Sequence, residues 1–302
     1  MGNLVKLLLS VVIISFIFYK FDLSAVWKII LEANIWLLLA AWGVQMLSQT
    51  VAAYRWSLIM DMLKFHHDFG FYFRSYFKGS LFNQVLPTSI GGDAYRIAEL
   101  TANGGLMKEA FYGVFIDRIV GLVGLLLLNL MANMIENDLL PEEVFWSINL
   151  VLFAGILGLF VLLLIRKFSL FERYKITRLF YQLSNRFRFI YRTPKRISQQ
   201  LGLSVLIHLL SMIAIFGIGH SVGINEPLVN YLVIIPPAIL LTILPISFAG
   251  WGVREGALVA LFLLIGIDQN LVLAMSLLYG IILILSALPG LVFYLRGKHK
   301  YL

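Results

Sequence analysis

The chain has 302 residues, of which 60% are hydrophobic and only 13% charged, and 24 Lys and Arg against 16 Asp and Glu give a formal net charge of +8. A soluble domain of this length cannot hide so much apolar surface, so the composition places the chain in a membrane and leaves no room for a sizeable soluble domain. With no cysteine, disulfides, thiolate metal sites and cysteine nucleophiles are excluded; the five histidines have no ligand spacing, so neither metal nor cofactor is expected.

The apolar runs are continuous rather than alternating and recur near the length of about 20 residues needed to cross a bilayer, which predicts an all-α, polytopic integral membrane protein. Taken in order, the first span is Leu4 to Tyr19, retained because no small-residue cleavage site follows it. Span two runs from Ile35 to Met60. An aromatic-rich segment, Phe71 to Leu86, leads through a Pro and Gly break into Asp93 to Ala102, at roughly 15 Å only half a bilayer long and so one arm of a re-entrant hairpin. Spans three and four are Ala110 to Ile135 and Val144 to Ile165. Beyond the basic loop come span five, Leu201 to Val222, a second hairpin from Leu228 to Ile267 with arms each about long enough to cross, and a last span, Leu271 to Leu295.

Sidedness follows from charge. Between Arg166 and Arg196 ten basic residues face Glu172 alone, a balance of +9, so the loop over residues 166–200 is expected in the cytoplasm, resting on anionic lipid headgroups. No motif supports nucleic-acid binding there. Counting crossings outward puts both termini on the same side, with Lys6 at one end and Arg296, Lys298 and Lys300 at the other.

Two stretches nearly repeat one another: Leu86-Pro87-Thr88-Ser89-Ile90-Gly91-Gly92-Asp93-Ala94-Tyr95-Arg96 and Leu244-Pro245-Ile246-Ser247-Phe248-Ala249-Gly250-Trp251-Gly252-Val253-Arg254. Pro87, Gly91 and Gly92 in one copy, and Pro245, Gly250 and Gly252 in the other, should stop one helix and start the next. Crossing parity makes the first hairpin begin and end inside and the second begin and end outside. Residues 35–135 and 201–295 then form two halves of an inverted-topology repeat within one membrane domain, an arrangement of many transporters.

Ionisable residues expected within the membrane are Arg55, Asp93, Arg96, Glu99, Asp117, Arg118, Arg254 and Glu255, and such groups normally face a polar cavity or one another. Asp93, at the start of a half-helix, could cap free amides or meet Arg96 at i+3. Arg254 and Glu255 point about 100° apart on a helix and are expected to need partners elsewhere, across the pseudo-symmetric site at Asp93 and Arg96. Arg55 reads more readily as a snorkelling anchor than as a ligand, and Arg118 as either. Asn83, Gln84, Gln45 and Gln49 could line a cavity or join helices, and His208 and His220 could be core residues or proton carriers. Amides at half-helix starts, with Arg96 and Arg254, would suit a phosphate.

Asn83 with Leu86-Pro87 and Gly91-Gly92-Asp93-Ala94-Tyr95-Arg96, Asp117-Arg118 with Gly121, and Pro245 with Gly250, Gly252 and Glu255 resemble the flippase-like membrane domain of the lysylphosphatidylglycerol synthase/flippase family. The resemblance implies a prokaryotic plasma-membrane protein that moves a lipid with a phosphate-containing or aminoacylated headgroup between leaflets. It also implies that Asn83, Asp93, Arg96, Asp117, Arg118, Arg254 and Glu255 are its polar central positions. Bifunctional relatives carry a soluble aminoacyl-transfer domain that this sequence lacks, so lysine transfer is not expected. A membrane enzyme of lipid-linked glycan or aminoacyl-lipid synthesis, with Asp93 or Glu255 as base, and an accessory subunit recruiting partners through the basic loop are the alternatives. Neither the oligomeric state nor the energy source is encoded in any motif.

Overall fold

The computed structural model describes residues 22–85, 90–168, 170–243 and 251–297. The expected first span, Leu86 to Ser89 with Pro87, Leu244 to Gly250 with Pro245, and Lys298 and Lys300 lie outside the described residues. Among the described residues the secondary structure is helical, in twelve α-helices and one 3-10 turn.

A short helix, α1 (Leu23–Glu32), is capped by Asp22, whose carboxylate accepts the Ser24 and Ala25 amides. Then come α2 (Ile35–Met62), α3 (Phe69–Val85), α4 (Gly91–Ala102), α5 (Met107–Ile135) and α6 (Glu142–Leu164), the last continued by a 3-10 turn to Lys167. The basic segment forms α7 (Leu170–Arg173) and α8 (Lys175–Ile190), followed by α9 (Pro194–Ser221), α10 (Leu228–Ile243), α11 (Val253–Leu263) and α12 (Gln269–Arg296). Five of these elements are long and apolar enough to cross a membrane: α2, α5, α6 with its 3-10 turn, α9 and α12.

Three boundaries differ from the sequence reading, each for a local reason. α9 starts at Pro194 rather than Leu201, because Thr193 accepts the Arg196 amide and Pro194 occupies the first turn, where its missing donor costs nothing. The basic segment is not a loop. Leu183, Phe187 and Ile190 recur on one face of α8 and are buried against Ile59 of α2 and Ile116 and Val120 of α5, while Arg178 and Arg188 are exposed and Arg186 turns onto α5 to pair with Glu109. The second arm of the second hairpin is not long enough to cross. α11 has eleven residues, about 17 Å, and stops where Gly266 adopts φ +80° and the Ile267 amide reaches back to the Phe262 carbonyl.

The first hairpin is antiparallel: Phe82 stacks on Tyr95 with ring centroids 4.7 Å apart, and nearer the opposite end Lys78 pairs with Glu99. Its two backbones touch at Gly79 and Gly92. A Cβ on Gly92 would overlap the Gly79 carbonyl, so only glycine lets α4 lie this close to α3. On its other side α3 meets α12, where Gly290 lies against the Phe77 carbonyl. α2 and α9 run antiparallel, joined by Ser48 Oγ donating to the Ile207 carbonyl at 2.9 Å and by Arg55 Nη1 donating to Ser204 Oγ at 2.8 Å. α5 is the central post. Gly124 packs under Ser204 of α9, and Asn129 Nδ2 donates to the Leu232 and Val233 carbonyls of α10 at 2.9 and 3.0 Å. Those two carbonyls lie within a turn of Pro236 and Pro237, which remove the amides that would otherwise engage them, so Asn129 supplies the replacement donor.

The largest apolar core joins α9, α10, α11 and α12 through residues such as Tyr231, Phe262 and Met275. α6 stays peripheral. Only 11% of its span is buried, and Trp146, Leu150, Phe153 and Leu157 face outward, as expected of a helix bathed in lipid. Gly92→Ala is expected to force α3 and α4 apart and destabilise the protein by about 1–3 kcal/mol. A lowered midpoint of thermal unfolding in detergent checks this, and an unchanged midpoint would show that the hairpin backbones are not in contact.

Candidate functional site

The site grows from Asp117, a buried carboxylate on the central post α5. Arg55 of α2 wraps it. Its Nε and Nη2 donate to Asp117 Oδ1 at 3.1 and 2.8 Å, Nη2 also donates to the Asp117 carbonyl at 2.9 Å, and Nη1 reaches Ser204. The other carboxylate oxygen accepts from Arg96 Nη1 of α4 at 3.2 Å. Arg96 in turn donates through Nη2 to Asp93 Oδ1 at 2.5 Å, and Asp93 Oδ2 accepts from Arg118. Five side chains therefore form a row of alternating charge, Arg55, Asp117, Arg96, Asp93 and Arg118. Three guanidiniums against two carboxylates leave one positive charge.

Packing fixes the row in place. The Arg96 guanidinium lies 4.8 Å from the Trp56 ring centroid and 5.1 Å from that of Tyr76, so aromatic faces cover the part of it that carboxylates do not. Gly121 leaves room for the Arg55 guanidinium, which lies 3.2 Å from where a Cβ would stand. Arg55, Asp93, Arg96 and Asp117 are buried, whereas the Arg118 side chain is 39% exposed. The row thus runs from the protein interior to an open end.

It faces a cavity of about 460 Å³ between α2, α3, α4, α5 and α9, with Ile239 of α10 closing one side. Gln49, Ser80, Asn83 and His208 add polar groups to the lining, and Phe115, Leu122 and Leu125 of α5 supply an apolar flank. Among the described residues the buried Gln49 Oε1 has no hydrogen-bond partner. His208 is held by the Gly121 carbonyl at 2.9 Å.

Several expectations need correction. Arg55 is not a snorkelling anchor; Asp117 and Ser204 recruit it inward, and it is buried at the inner end of the row. Asp93 does not cap the helix that begins beside it. Asn83 Oδ1 accepts the Gly92 amide at 2.8 Å instead, which frees the Asp93 carboxylate for two arginines. Arg254 and Glu255 do pair with each other, at 2.5 Å through Nη2 and 3.0 Å through Nε. Their bonds do leave the helix about 100° apart, but these side chains are long enough to curl back together. Glu255 Oε2 also accepts the Gly252 amide at 2.6 Å, at the residue whose φ of +86° starts α11. Ser276 Oγ donates to Glu255 Oε1 at 3.2 Å, and Trp251 and Tyr279 cover the Arg254 guanidinium. This pair forms a second, self-contained cluster outside the lining of the first cavity, so the expected cross-pairing with Asp93 and Arg96 is absent among the described residues.

Sequence reasoning missed Lys78, which pairs with Glu99 in the first hairpin, and it missed Ser204, Trp56 and Tyr76. Lys78 stands among aromatic residues, and its spacing from Glu99 carries no periodic signal because a turn intervenes. Removing one partner of a buried ion pair leaves the other uncompensated. Asp117→Ala is accordingly expected to destabilise the fold by about 3–5 kcal/mol. In the double variant Asp117→Ala with Arg55→Leu part of that loss should return, and a cycle of thermal denaturation midpoints reads the coupling; simple additivity would show that the two side chains do not interact.

Two comparisons with known proteins bear on the site. No curated protein matches the chain. The family described as the lysylphosphatidylglycerol synthase TM region matches residues 3–290, a stretch that contains every member of both clusters. The chain is a membrane protein of many helices and belongs to the lysylphosphatidylglycerol synthase TM region family.

Proposed function

We propose that this chain moves a lipid with an anionic, phosphate-containing or aminoacylated headgroup between the two leaflets, and that it acts as a transporter rather than an enzyme. One observation carries the reading. The alternating row has one unbalanced positive charge, and it faces a cavity whose remaining lining is partly apolar. A headgroup phosphate would meet Arg118 at the open end first, with Arg96 behind it, while the flank of Phe115, Leu122 and Leu125 suits the glycerol and upper acyl region. All five row members hold one another when no lipid is present, so the site need not bury an unpaired charge during each cycle.

Two further points support this reading. In each half a long helix precedes a short-armed hairpin, α2 before α3 and α4, and α9 before α10 and α11, and a long helix follows, α5 in one half and α12 in the other. With the charge bias this arrangement is read as an inverted repeat whose hairpins enter from opposite faces. The excess of Lys and Arg between Arg166 and Arg196, with Glu136, Asp138, Glu142 and Glu143 at the other end of α6, supports an orientation with the basic segment in the cytoplasm.

The test uses proteoliposomes containing phosphatidylglycerol with a fluorescent headgroup and a membrane-impermeant quencher. Wild-type protein is expected to carry labelled lipid to the quenched leaflet, and Arg118→Gln to slow this at least about tenfold, the kinetic equivalent of about 1.4 kcal/mol. Equal rates for the two proteins would remove Arg118 and the open end from the mechanism. Because the chain has no cysteine, single cysteines at Asp138 and Arg173 can be placed without background. An impermeant maleimide should label the first from outside intact cells and the second only after lysis, and the reverse pattern would invert the assigned orientation.

A further inference from the structure

A second cavity, about 430 Å³, lies between α5, α6, α8 and α9, on the far side of α5 from the translocation cavity. Its walls are apolar, built from Val120 and Val123 of α5, Leu159 and Leu163 of α6, and Ile197 and Leu201 of α9. Its rim is basic. Arg166 and Lys167 come from the turn that ends α6, and Arg188 comes from the amphipathic α8; the lining contains no acidic residue. Among the described residues none of these three cations takes part in a salt bridge.

The interior of this groove also holds polar atoms without partners. Among the described residues Gln200 is fully buried and its Oε1 accepts nothing, and the buried Tyr191 hydroxyl is likewise unengaged. Gln200 Nε2 lies 3.5 Å from the Arg55 carbonyl, and Ser204 Oγ, which holds Arg55, donates to the Gln200 carbonyl at 2.8 Å. The floor of the groove is therefore the back wall of the charged row.

We infer that this groove holds one anionic diacyl phospholipid of the surrounding bilayer as a resident ligand, separate from the transported molecule. Its phosphodiester meets Arg166, Lys167 and Arg188, and one acyl chain lies along Val123, Leu159 and Leu201. The location fits, because α6 ends and α9 begins there, at the level where a leaflet's phosphates stand. Charge complementarity selects an anionic over a zwitterionic headgroup, and the depth of the apolar walls selects a lipid over a free phosphate.

Native mass spectrometry of purified protein with phosphatidylglycerol tests this. Wild-type protein should retain one phosphatidylglycerol that phosphatidylcholine does not replace. The variant Arg166→Gln/Lys167→Gln/Arg188→Gln should bind that lipid at least tenfold more weakly, and so should Leu159→Trp, which fills the groove and keeps every charge. Arg173→Gln/Lys175→Gln/Arg178→Gln removes the same charge elsewhere in the basic segment and should bind normally. Arg118→Gln should also leave the groove filled, which separates this test from that of translocation. The inference is overturned if the rim variant or Leu159→Trp binds as wild type does, if the remote variant loses the lipid equally, or if glycerol phosphate competes as well as the intact lipid.

Discussion

Charges inside a membrane must neutralise one another, and this requirement organises the protein around Asp117. An isolated guanidinium or carboxylate at that depth costs several kcal/mol. Arg55, Asp117, Arg96, Asp93 and Arg118 avoid the cost by alternating in sign, so each buried charge has an opposite neighbour. The row draws on α2, α4 and α5, and Ser204 of α9 anchors its inner end. Four helices are thereby fixed relative to one another by a polar contact set that a purely apolar core could not specify. Because an odd number of members begins and ends on arginine, the chemistry that stabilises the fold also leaves the cavity positive.

Close backbone approach is the second requirement, and it serves the first. Arg96 reaches Asp117, and Asp93 reaches Arg118, from an α4 that lies directly against α3, which Gly79 and Gly92 permit. Asn83 takes the amide that this approach exposes, so Asp93 keeps its carboxylate for the arginines. Gly121 makes space for Arg55 in the same way, and Gly124 lets α5 settle onto Ser204. The motif glycines thus act by removing bulk beside charged groups as much as by loosening the chain. The second hairpin solves its own problem locally, with Arg254 and Glu255 closing on each other and on Ser276 at the start of α11.

At the membrane boundary the basic segment combines both kinds of surface. α8 buries Leu183, Phe187 and Ile190 against the bundle and ties Arg186 to Glu109 of α5, and with α6 and α9 it encloses an apolar groove rimmed by arginine and lysine. Since Gln200 and Ser204 link that groove to Arg55, events at the lipid interface and at the charged row share one stretch of α9.

The helical class, the membrane setting, the long spans and the polar residues Asp93, Arg96, Asp117 and Arg118 were all legible in the sequence, because apolar run length and the rarity of intramembrane charge are local properties. The Asp93 and Arg96 contact was legible too, being a single turn apart on one helix. Partner choice was not. Arg55 and Asp117 are 62 residues apart and Lys78 and Glu99 are separated by a turn, so only the packing of α2, α3, α4 and α5 decided who meets whom. The same holds for Arg254 and Glu255, where backbone direction argued against a pair that side-chain length allows. The helical nature of the basic segment was hidden by its charge, since the apolar face of α8 becomes meaningful only where α2 and α5 stand to receive it. Sequence thus determined which residues carry charge into the membrane, and tertiary structure decided how that charge is cancelled and where one positive charge remains.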